Sequence, residues 1–229
     1  MQTIDLFLNR VVQGDCVTVL RSLPDTSVDL VLTDPPYLVN YRARDGRRCA
    51  NDRDARWLLP AFQQLQRVLK PDHFCVSFYG WPWIERFMAA WKQCGFRPVS
   101  HLVWIKSHCS RRGYTRSYHE AAFLLAKGRP PVAAQALPDV LRWEYTRNLH
   151  HPNEKPVSGL VPLIDAFSKP GGIVLDPFAG SGSTGLAACT RHRRFILIEL
   201  SGQHCATAQA RLNALAENKV PSALPARVT

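Results

Sequence analysis

The chain has 229 residues, enough for one substantial hydrophobic core, and 46% of them are hydrophobic. Its formal net charge of +11 favours a polyanionic partner, with nucleic acid first, because basic residues sustain phosphate contacts. The seven cysteines are scattered and never spaced as Cys-x-x-Cys, which argues against a disulfide framework or a zinc ribbon. No apolar stretch reaches membrane-spanning length, so we expect a soluble cytoplasmic protein that contacts no membrane.

Short apolar runs alternate with helical patterns along the first part of the chain. We predict strands at 10–13 and 28–34, with a helix at 15–23 between them. An arginine-rich loop from Arg42 to Arg56 follows. Beyond it the pattern predicts a helix at 58–69 stopped by Lys70-Pro71, then a strand at 74–79, a helix at 83–94 closed by Gly95, and strands at 99–105 and 121–125.

The second part of the chain begins with a proline-punctuated connection from Gly128 to Pro138. A helix is predicted at 157–167, followed by a strand at 172–175, a glycine loop that opens a helix, a strand at 195–199 and a helix at 206–216. Strands that alternate with helices are typical of an α/β fold with a mostly parallel sheet. We expect a single domain that spans residues 1–229.

Two motifs directly follow buried strands: Thr33-Asp34-Pro35-Pro36-Tyr37, and the glycine loop that begins at Asp176-Pro177-Phe178-Ala179-Gly180-Ser181-Gly182-Ser183. Parallel strands end at one edge of a sheet, and ligands bind at that edge in open α/β sheets. The sequence therefore predicts that the chain brings two ligands together there.

The glycine loop places backbone donors and a helix N-terminus against a ligand that approaches the main chain closely. It lacks the lysine of a P-loop, which argues against a nucleotide triphosphate. Glu199 ends the next strand about 20 residues on, where an acidic side chain can accept both hydroxyls of a ribose. A nucleoside-containing cofactor is favoured, and a tight strand-to-helix turn without a ligand is the alternative.

The Asp34 motif predicts a clamp for the exocyclic amine of a planar base. Consecutive prolines fix the backbone, so the Asp34 carboxylate and nearby carbonyls become rigid acceptors for the two hydrogens of an amino group. Tyr37 supplies a flat face for stacking. An ordinary proline turn packed by a tyrosine is the alternative.

These residues resemble motifs of the S-adenosylmethionine-dependent DNA amino-methyltransferases. The Asp34 motif resembles their motif IV and the glycine loop their motif I, in the order of the circularly permuted β group. Three further segments fit: Gly14-Asp15-Cys16 (motif III), His151-Pro152-Asn153-Glu154-Lys155-Pro156 (the opening of motif X) and Phe195-Ile196-Leu197-Ile198-Glu199 (motif II). The chain departs from the pattern at Leu197, where the family usually has glycine, and at His204, where it usually has an aromatic residue.

The resemblance implies a Rossmann-like methyltransferase fold, with helices on both faces of the sheet, and S-adenosylmethionine as cofactor. The residues expected to bind the cofactor are Asp15, Asp34, Lys155, Asp176, Phe178, Ala179, Gly180, Ser181, Gly182 and Glu199. Lys155 would lie near the methionine carboxylate, Glu199 would take the ribose hydroxyls and Asp15 the adenine amine. A solvated lysine and a helix N-cap are the alternatives for Lys155 and Asp15.

The resemblance further implies methyl transfer to the N6 amine of an adenine extruded from double-stranded DNA, with Asp34, Pro35, Pro36 and Tyr37 as catalytic residues. N4-cytosine methylation is the nearest alternative, although such enzymes commonly carry Ser-Pro-Pro-Tyr and Asp34 favours adenine. A catalytically idle DNA-binding regulator with the same fold is a third interpretation. The histidines do not have the spacing of metal ligands, so no metal site is predicted.

Two basic loops, at 40–56 and 107–118, are predicted to contact DNA, the second within a short specificity region at 107–150. The arginines assigned to DNA binding are Arg42, Arg44, Arg47, Arg48, Arg111, Arg112 and Arg116, and Lys106 and the nearby Arg53 and Arg56 belong to the same basic clusters. A homodimer, a partner restriction nuclease and a stand-alone regulatory role stay open.

Overall fold

A computed structural model describes residues 4–40, 52–109, 111–112, 114–133, 135–144 and 154–217, with only the backbone described at 111–112. The strands are β1 (Arg10–Gln13), β2 (Val28–Thr33), β3 (Leu69–Phe78), β4 (Arg97–Lys106), β5 (Arg111–Arg112), β6 (Arg116–Ser117), β7 (His119–Lys127), β8 (Val140–Trp143), β9 (Ile173–Asp176) and β10 (Arg194–Glu199). The helices are α1 (Cys16–Arg21), α2 (Leu58–Val68), α3 (Ile84–Gln93), α4 (Val157–Phe167), α5 (Ser183–Thr190) and α6 (Gly202–Glu217), with single 3-10 turns at Ile4–Leu6 and Trp81–Trp83. None of the helices within these ranges is long and apolar enough to cross a bilayer.

Eight strands form one sheet in the order β1-β10-β9-β2-β3-β7-β4-β8. Neighbouring strands are parallel throughout the series β1-β10-β9-β2-β3, and β4 is parallel to β8. Only β7 runs the other way among the strands of this sheet, because it pairs antiparallel with both β3 and β4. The predicted α/β fold with a mostly parallel sheet is confirmed.

Helices cover both faces of the sheet, and each face has its own hydrophobic core. One core joins α1, α2 and α3 to the sheet through side chains such as Leu20, Phe62 and Trp91. The other joins α4, α5 and α6 through Leu160, Ala187 and Leu212. Because the central strands are buried on both faces, their sequences are continuous apolar runs, as is typical of parallel strands.

The sheet places the predicted motifs at one edge. Val31 in β2 pairs with Leu175 in β9, so the segments that follow Thr33 and Asp176 leave neighbouring strands side by side. Because β4 runs parallel to β3 and β7 runs antiparallel, the connection between Lys106 and Tyr118 emerges at that same edge. The small hairpin of β5 and β6 lies within this connection.

Two predictions about the elements were wrong in detail. Helix α2 ends at Val68, close to its predicted end, but the strand predicted from residue 74 already begins at Leu69. The pairing of β2 with β3 is irregular between Leu69 and Phe74, and Asp72 there has a φ of 57°, so Pro71 sits where the ladder is interrupted. The connection after Gly128 also leads to a strand, β8, that the sequence did not predict.

Candidate active site

The Asp34 carboxylate is held from both sides. Asp34 follows the last residue of β2, and the buried Pro35 and Pro36 restrict the backbone beside it. The Tyr37 hydroxyl donates a hydrogen bond to Asp34 Oδ1 over 2.6 Å, and the Lys155 ammonium forms an ion pair with Oδ2. One carboxylate oxygen thus accepts from a hydroxyl group and the other pairs with an ammonium group.

Tyr37 has a role that its predicted stacking face did not include. Burial raises the pKa of its hydroxyl well above the usual value, and the negative charges of Asp34 and Glu120 raise it further. The phenol therefore keeps its proton at neutral pH and stays a donor to Asp34. This hydrogen bond fixes the ring relative to the carboxylate.

Three aromatic rings surround the Lys155 ammonium. Its Nζ lies 4.9 Å from the ring centroid of Phe78, 5.7 Å from that of Tyr37 and 6.0 Å from that of Trp143. The Lys155 side chain is only 11% exposed. Sequence reasoning missed Phe78 and Trp143, since Phe78 reads as an ordinary core residue and Trp143 lies on the unpredicted β8.

The glycine loop has the predicted strand, loop and helix arrangement. It leaves β9 at Asp176 and enters α5 at Ser183, and the residue that precedes the helix, Gly182, has a φ of 82°. A Cβ added to Gly182 would lie 2.8 Å from the Cβ of Ala208 in α6. Glycine is thus needed here for both backbone conformation and space.

Asp176 is a buried carboxyl group at the start of this loop. It accepts hydrogen bonds from the Thr184 hydroxyl at 2.6 Å and from the Phe178 N–H at 3.1 Å. Burial raises its pKa to about 7, a shift that the two hydrogen bonds oppose and the charges of Asp34 and Glu199 reinforce. Asp176 therefore anchors the loop from within the protein.

Glu199 connects the end of β10 to the glycine loop. Its Oε2 accepts the Gly180 N–H at 2.9 Å and its Oε1 accepts the Ser201 N–H at 2.8 Å. Burial would raise its pKa, but the nearby His204 imidazole and the hydrogen bonds from these two N–H groups outweigh burial and lower it. Glu199 is thus an anionic acceptor at neutral pH, with lone pairs left for further donors.

The two departures from the motif pattern have distinct surroundings. Leu197 is fully buried, and its Cδ1 lies 2.7 Å from where a Gly185 Cβ would stand, so it packs against the start of α5. His204 lies with Nδ1 3.8 Å from Glu199 Oε1. Leu197 thus belongs to the core beneath the loop, whereas His204 adds a basic group beside Glu199.

Asp15 is the N-cap of α1, as the alternative interpretation had it. Its carboxylate accepts the Thr18 N–H at 2.9 Å and the Thr18 hydroxyl at 3.0 Å. It also lines an open cleft of about 310 Å³ together with Val17, Asp54, Arg56, Trp57 and Pro60. The Trp57 ring lies 5.1 Å from the Phe178 ring, which places this cleft beside the glycine loop.

Arg211 in α6 ties the glycine loop to the turn before α4, a contact that sequence reasoning missed. Its Nη1 donates to the Ser181 carbonyl at 2.8 Å and to the Ser181 hydroxyl at 2.9 Å. Its Nη2 pairs with Glu154 Oε1 at 2.7 Å, and the Glu154 side chain is 4% exposed. Glu154 directly precedes Lys155, so one guanidinium links the two segments.

The structure describes only some of the residues that were predicted to contact DNA. Arg42, Arg44, Arg47 and Arg48 lie outside the described residues, and Arg111 and Arg112 are described only as the backbone of β5. Arg116 is exposed in β6. Lys106 was wrongly grouped with these contacts: it is buried, and its Nζ pairs with Glu120 Oε1 at 2.6 Å.

The polar groups at this edge fit a nucleoside that carries an amino acid. Glu199 is an anionic acceptor of the kind that binds ribose hydroxyls, and Asp15 offers a carboxylate at a cleft beside two aromatic rings. Lys155 supplies a cation close to Asp34. The arrangement can hold such a ligand between the glycine loop and the Asp34 motif.

Comparison with known proteins identifies the family of the chain. A family model described as DNA methylase matches residues 28–210, and the chain belongs to that family. The chain is 53% identical over 208 residues to YubD, a proposed methylase of Escherichia coli (strain K12), and the match covers 91% of this chain and 92% of that protein. It is 27% identical over 246 residues to the DNA adenine methyltransferase YhdJ of Escherichia coli (strain K12), covering 89% and 82%.

Among solved structures, the M1.HpyAVI–SAM complex shares the fold with a TM-score of 0.71 at 24% identity, and the match covers 89% of this chain and 98% of that one. The resemblance drawn from the five motifs is therefore confirmed at the level of family and fold.

Proposed function

We propose that the protein transfers a methyl group from S-adenosylmethionine to the exocyclic N6 amine of adenine in double-stranded DNA. The observation that carries this proposal is the placement of the Asp34 motif beside the glycine loop, on strands that pair through Val31 and Leu175. One motif offers acceptors for an amine, and the other offers a site for a nucleoside. The distance between the two ligands is then set by neighbouring strands of one rigid sheet.

The Asp34 motif acts on the amine. The lone pair of an adenine amino nitrogen is delocalised into the ring, so this nitrogen is a weak nucleophile. Hydrogen bonds from its two hydrogens to the Asp34 carboxylate and the Pro35 carbonyl favour the tetrahedral geometry that exposes the lone pair. The Tyr37 hydrogen bond keeps the Asp34 carboxylate in one orientation.

The glycine loop and its neighbours hold the cofactor. Glu199 takes the ribose hydroxyls, Asp15 accepts from the adenine amine at the cleft beside Trp57, and Lys155 pairs with the methionine carboxylate. When bound, S-adenosylmethionine supplies a sulfonium methyl group, which passes to the amine nitrogen as the sulfur–carbon bond breaks and the nitrogen loses one proton. The backbone of the loop at Gly180–Gly182, with Phe178 and Ala179 and with Asp176 as the internal anchor, positions the methionine portion.

DNA is the macromolecular substrate. The net charge of +11 and the exposed Arg116 favour phosphate contacts, and extrusion of the base gives the amine access to Asp34. We place this activity in the cytoplasm. Whether it serves protection from a restriction nuclease or regulation depends on the sites that it methylates.

The test is a methylation assay without an assumed recognition site. Plasmid DNA from a methylation-deficient host is incubated with the protein and tritium-labelled S-adenosylmethionine, then digested to nucleosides and analysed by mass spectrometry. We expect labelled N6-methyldeoxyadenosine. N4-methyldeoxycytidine instead would establish the cytosine alternative, and DNA binding without label in either nucleoside would establish the idle regulator.

A further inference from the structure

Lys155 binds the carboxylate to which the proposed function assigns the target amine. Its ammonium is paired with Asp34 Oδ2 while the Tyr37 hydroxyl takes Oδ1. The ring centroids of Phe78 and Trp143 lie 4.9 and 6.0 Å from its Nζ, and they complete a cage around it. A base amine that donates to Asp34 would compete with the Lys155 ammonium for this carboxylate.

The lysine side chain is part of the site and not a solvated charge. It is 11% exposed, and the Asp34 side chain is 22% exposed. An ion pair this well covered holds the carboxylate more firmly than a surface pair, since solvent screens it less. It also neutralises Asp34 and so weakens its attraction for the hydrogens of an incoming amine.

We propose that Lys155 is a placeholder for the target amine, and that the base can bind only after the ammonium has moved from Asp34 to the carboxylate of the bound cofactor. The inference rests on the proposed function, because it assigns Lys155 two alternative anionic partners at that site. Cofactor binding then precedes capture of the base, which avoids holding an extruded base when no methyl group is available.

The surroundings of Lys155 allow this exchange of partners. Its neighbour Glu154 is fixed to Arg211, which also binds the carbonyl and hydroxyl of Ser181 in the glycine loop. The main chain before Lys155 is thereby tied to the cofactor side of the site, while its flexible four-carbon side chain reaches Asp34. Rotation of that side chain alone can carry the charge from one side to the other.

The first test compares ligands with and without a carboxylate. Lys155→Met should weaken the binding of S-adenosylhomocysteine about tenfold by calorimetry, and should leave unchanged the binding of methylthioadenosine, which lacks the amino acid. Lys70→Met is the matched control, because Lys70 makes a similar ion pair with Asp29 at 2.6 Å near the other end of the same strands. This variant should bind both ligands as the wild type does.

The second test is structural. Crystal structures of the wild type alone and with S-adenosylhomocysteine should show Lys155 Nζ on Asp34 in the first and on the ligand carboxylate in the second. A lysine that remains on Asp34 with the ligand bound, or equal affinity of Lys155→Met and wild type for S-adenosylhomocysteine, would overturn the placeholder and leave the proposed function standing. Failure of the wild type to bind S-adenosylhomocysteine at all would overturn the proposed function itself.

Discussion

At the scale of single residues, the Asp34 carboxylate has one hydroxyl donor that we expect to stay and one ammonium partner that we propose is exchanged. Pro35 and Pro36, which follow Asp34, restrict its backbone, and the Tyr37 hydroxyl donates a hydrogen bond to its carboxylate. Neither of these contacts needs to change during a reaction, because the raised pKa of Tyr37 keeps its proton in place. Only the contact with Lys155 has to be replaced when a base enters.

Replacing Asp34 with alanine should abolish methyl transfer without unfolding the protein. The substitution removes the amine acceptor, and the side chain is no part of either hydrophobic core. We expect the rate of methyl transfer to plasmid DNA to fall at least about 100-fold, within the range for a positioned catalytic group. The matched control is Asp25→Ala, whose carboxylate is 72% exposed and pairs with Arg67 away from the motifs.

The Asp34→Ala variant should still unfold in one cooperative thermal transition, although at a lower temperature than the wild type, because the well-covered Lys155 ammonium loses its partner. Retention of a tenth or more of the wild-type rate by a folded variant would remove Asp34 from the catalytic residues.

The buried Asp176 should make stability depend on pH. Its pKa rises from the ordinary 3.8 to about 7 on folding, so the native state keeps a proton that the unfolded chain releases between these values. The stabilisation is full below about pH 4 and declines as the pH rises toward 7, with a slope of at most about 1.4 kcal/mol per pH unit. Urea unfolding of the wild type and of Asp176→Asn at pH 5, 6 and 7 measures the difference.

In Asp176→Asn this part of the pH dependence should be missing, whatever constant offset the altered hydrogen bonding causes. Parallel curves for the two proteins would show that Asp176 titrates normally.

At the scale of elements, the packing of α6 against the glycine loop explains why the loop needs glycine at position 182. Gly182→Ala should lower the free energy of unfolding by about 3 kcal/mol, since a φ of 82° costs about 1 kcal/mol and the new Cβ meets Ala208 at 2.8 Å. Gly171→Ala is the control: its φ is 77°, but nothing lies within 4 Å of the added Cβ, so only the backbone cost of about 1 kcal/mol remains. Equal destabilisation of the two variants would contradict the close approach of α6.

The link through Arg211 should couple the stability of α6 to that of the turn before α4. Arg211→Met removes the partner of a nearly buried carboxylate and should cost about 3 kcal/mol of unfolding free energy. The double variant Arg211→Met/Glu154→Gln should recover about 1 kcal/mol of it, because the negative charge is gone as well. Denaturant unfolding of the wild type, the two single variants and the double variant gives the free energies for a double-mutant cycle. Strictly additive changes in the free energy of unfolding would show that the two side chains act independently.

Elements with a clear apolar pattern could be predicted from the sequence, whereas β8 and the start of β3 could not. Helix α4 spans 157–167 as expected, and the helix around the glycine loop begins at Ser183. Strand β8 was missed because its four residues alternate between half-buried and exposed positions, which gives no continuous apolar run. The proline at position 71 concealed the start of β3, since a ladder interruption that tolerates proline leaves no local signal.

The candidate site shows the same division. Asp34 and Glu199 could be predicted as site residues because local sequence patterns indicate where proline restricts the backbone and where a strand ends. Arg211, Phe78 and Trp143 were missed because their relevance depends on which distant segment each one contacts. The ion pair of Lys106 with Glu120 could not be foreseen either, as the two residues become neighbours only through the pairing of β4 with β7.

At the scale of the whole molecule, the excess of positive charge should govern how tightly DNA binds. Neutralising Arg44, Arg47 and Arg48 together should weaken DNA binding and flatten its dependence on salt, by about 0.9 in logarithmic slope for each phosphate that the variant no longer neutralises. S-adenosylhomocysteine should bind the triple variant as tightly as the wild type, because these arginines are not in the cofactor set. Fluorescence anisotropy with a labelled duplex across a salt series gives the slopes.

Identical slopes for the wild type and the triple variant would remove the 40–56 loop from the DNA interface. The 107–118 loop, with its exposed Arg116, would then be the principal contact.

The pairing of β4 with β7 fixes both ends of the segment that connects them. The two strands stay in register up to Ile105 and His119, and the Lys106 N–H donates to the Tyr118 carbonyl at 2.8 Å. The segment between them is therefore clamped at both ends by a hairpin stem that belongs to the sheet. We therefore expect the sheet to tolerate a segment of different length or sequence between these two residues, because both ends are fixed by the same strand pair.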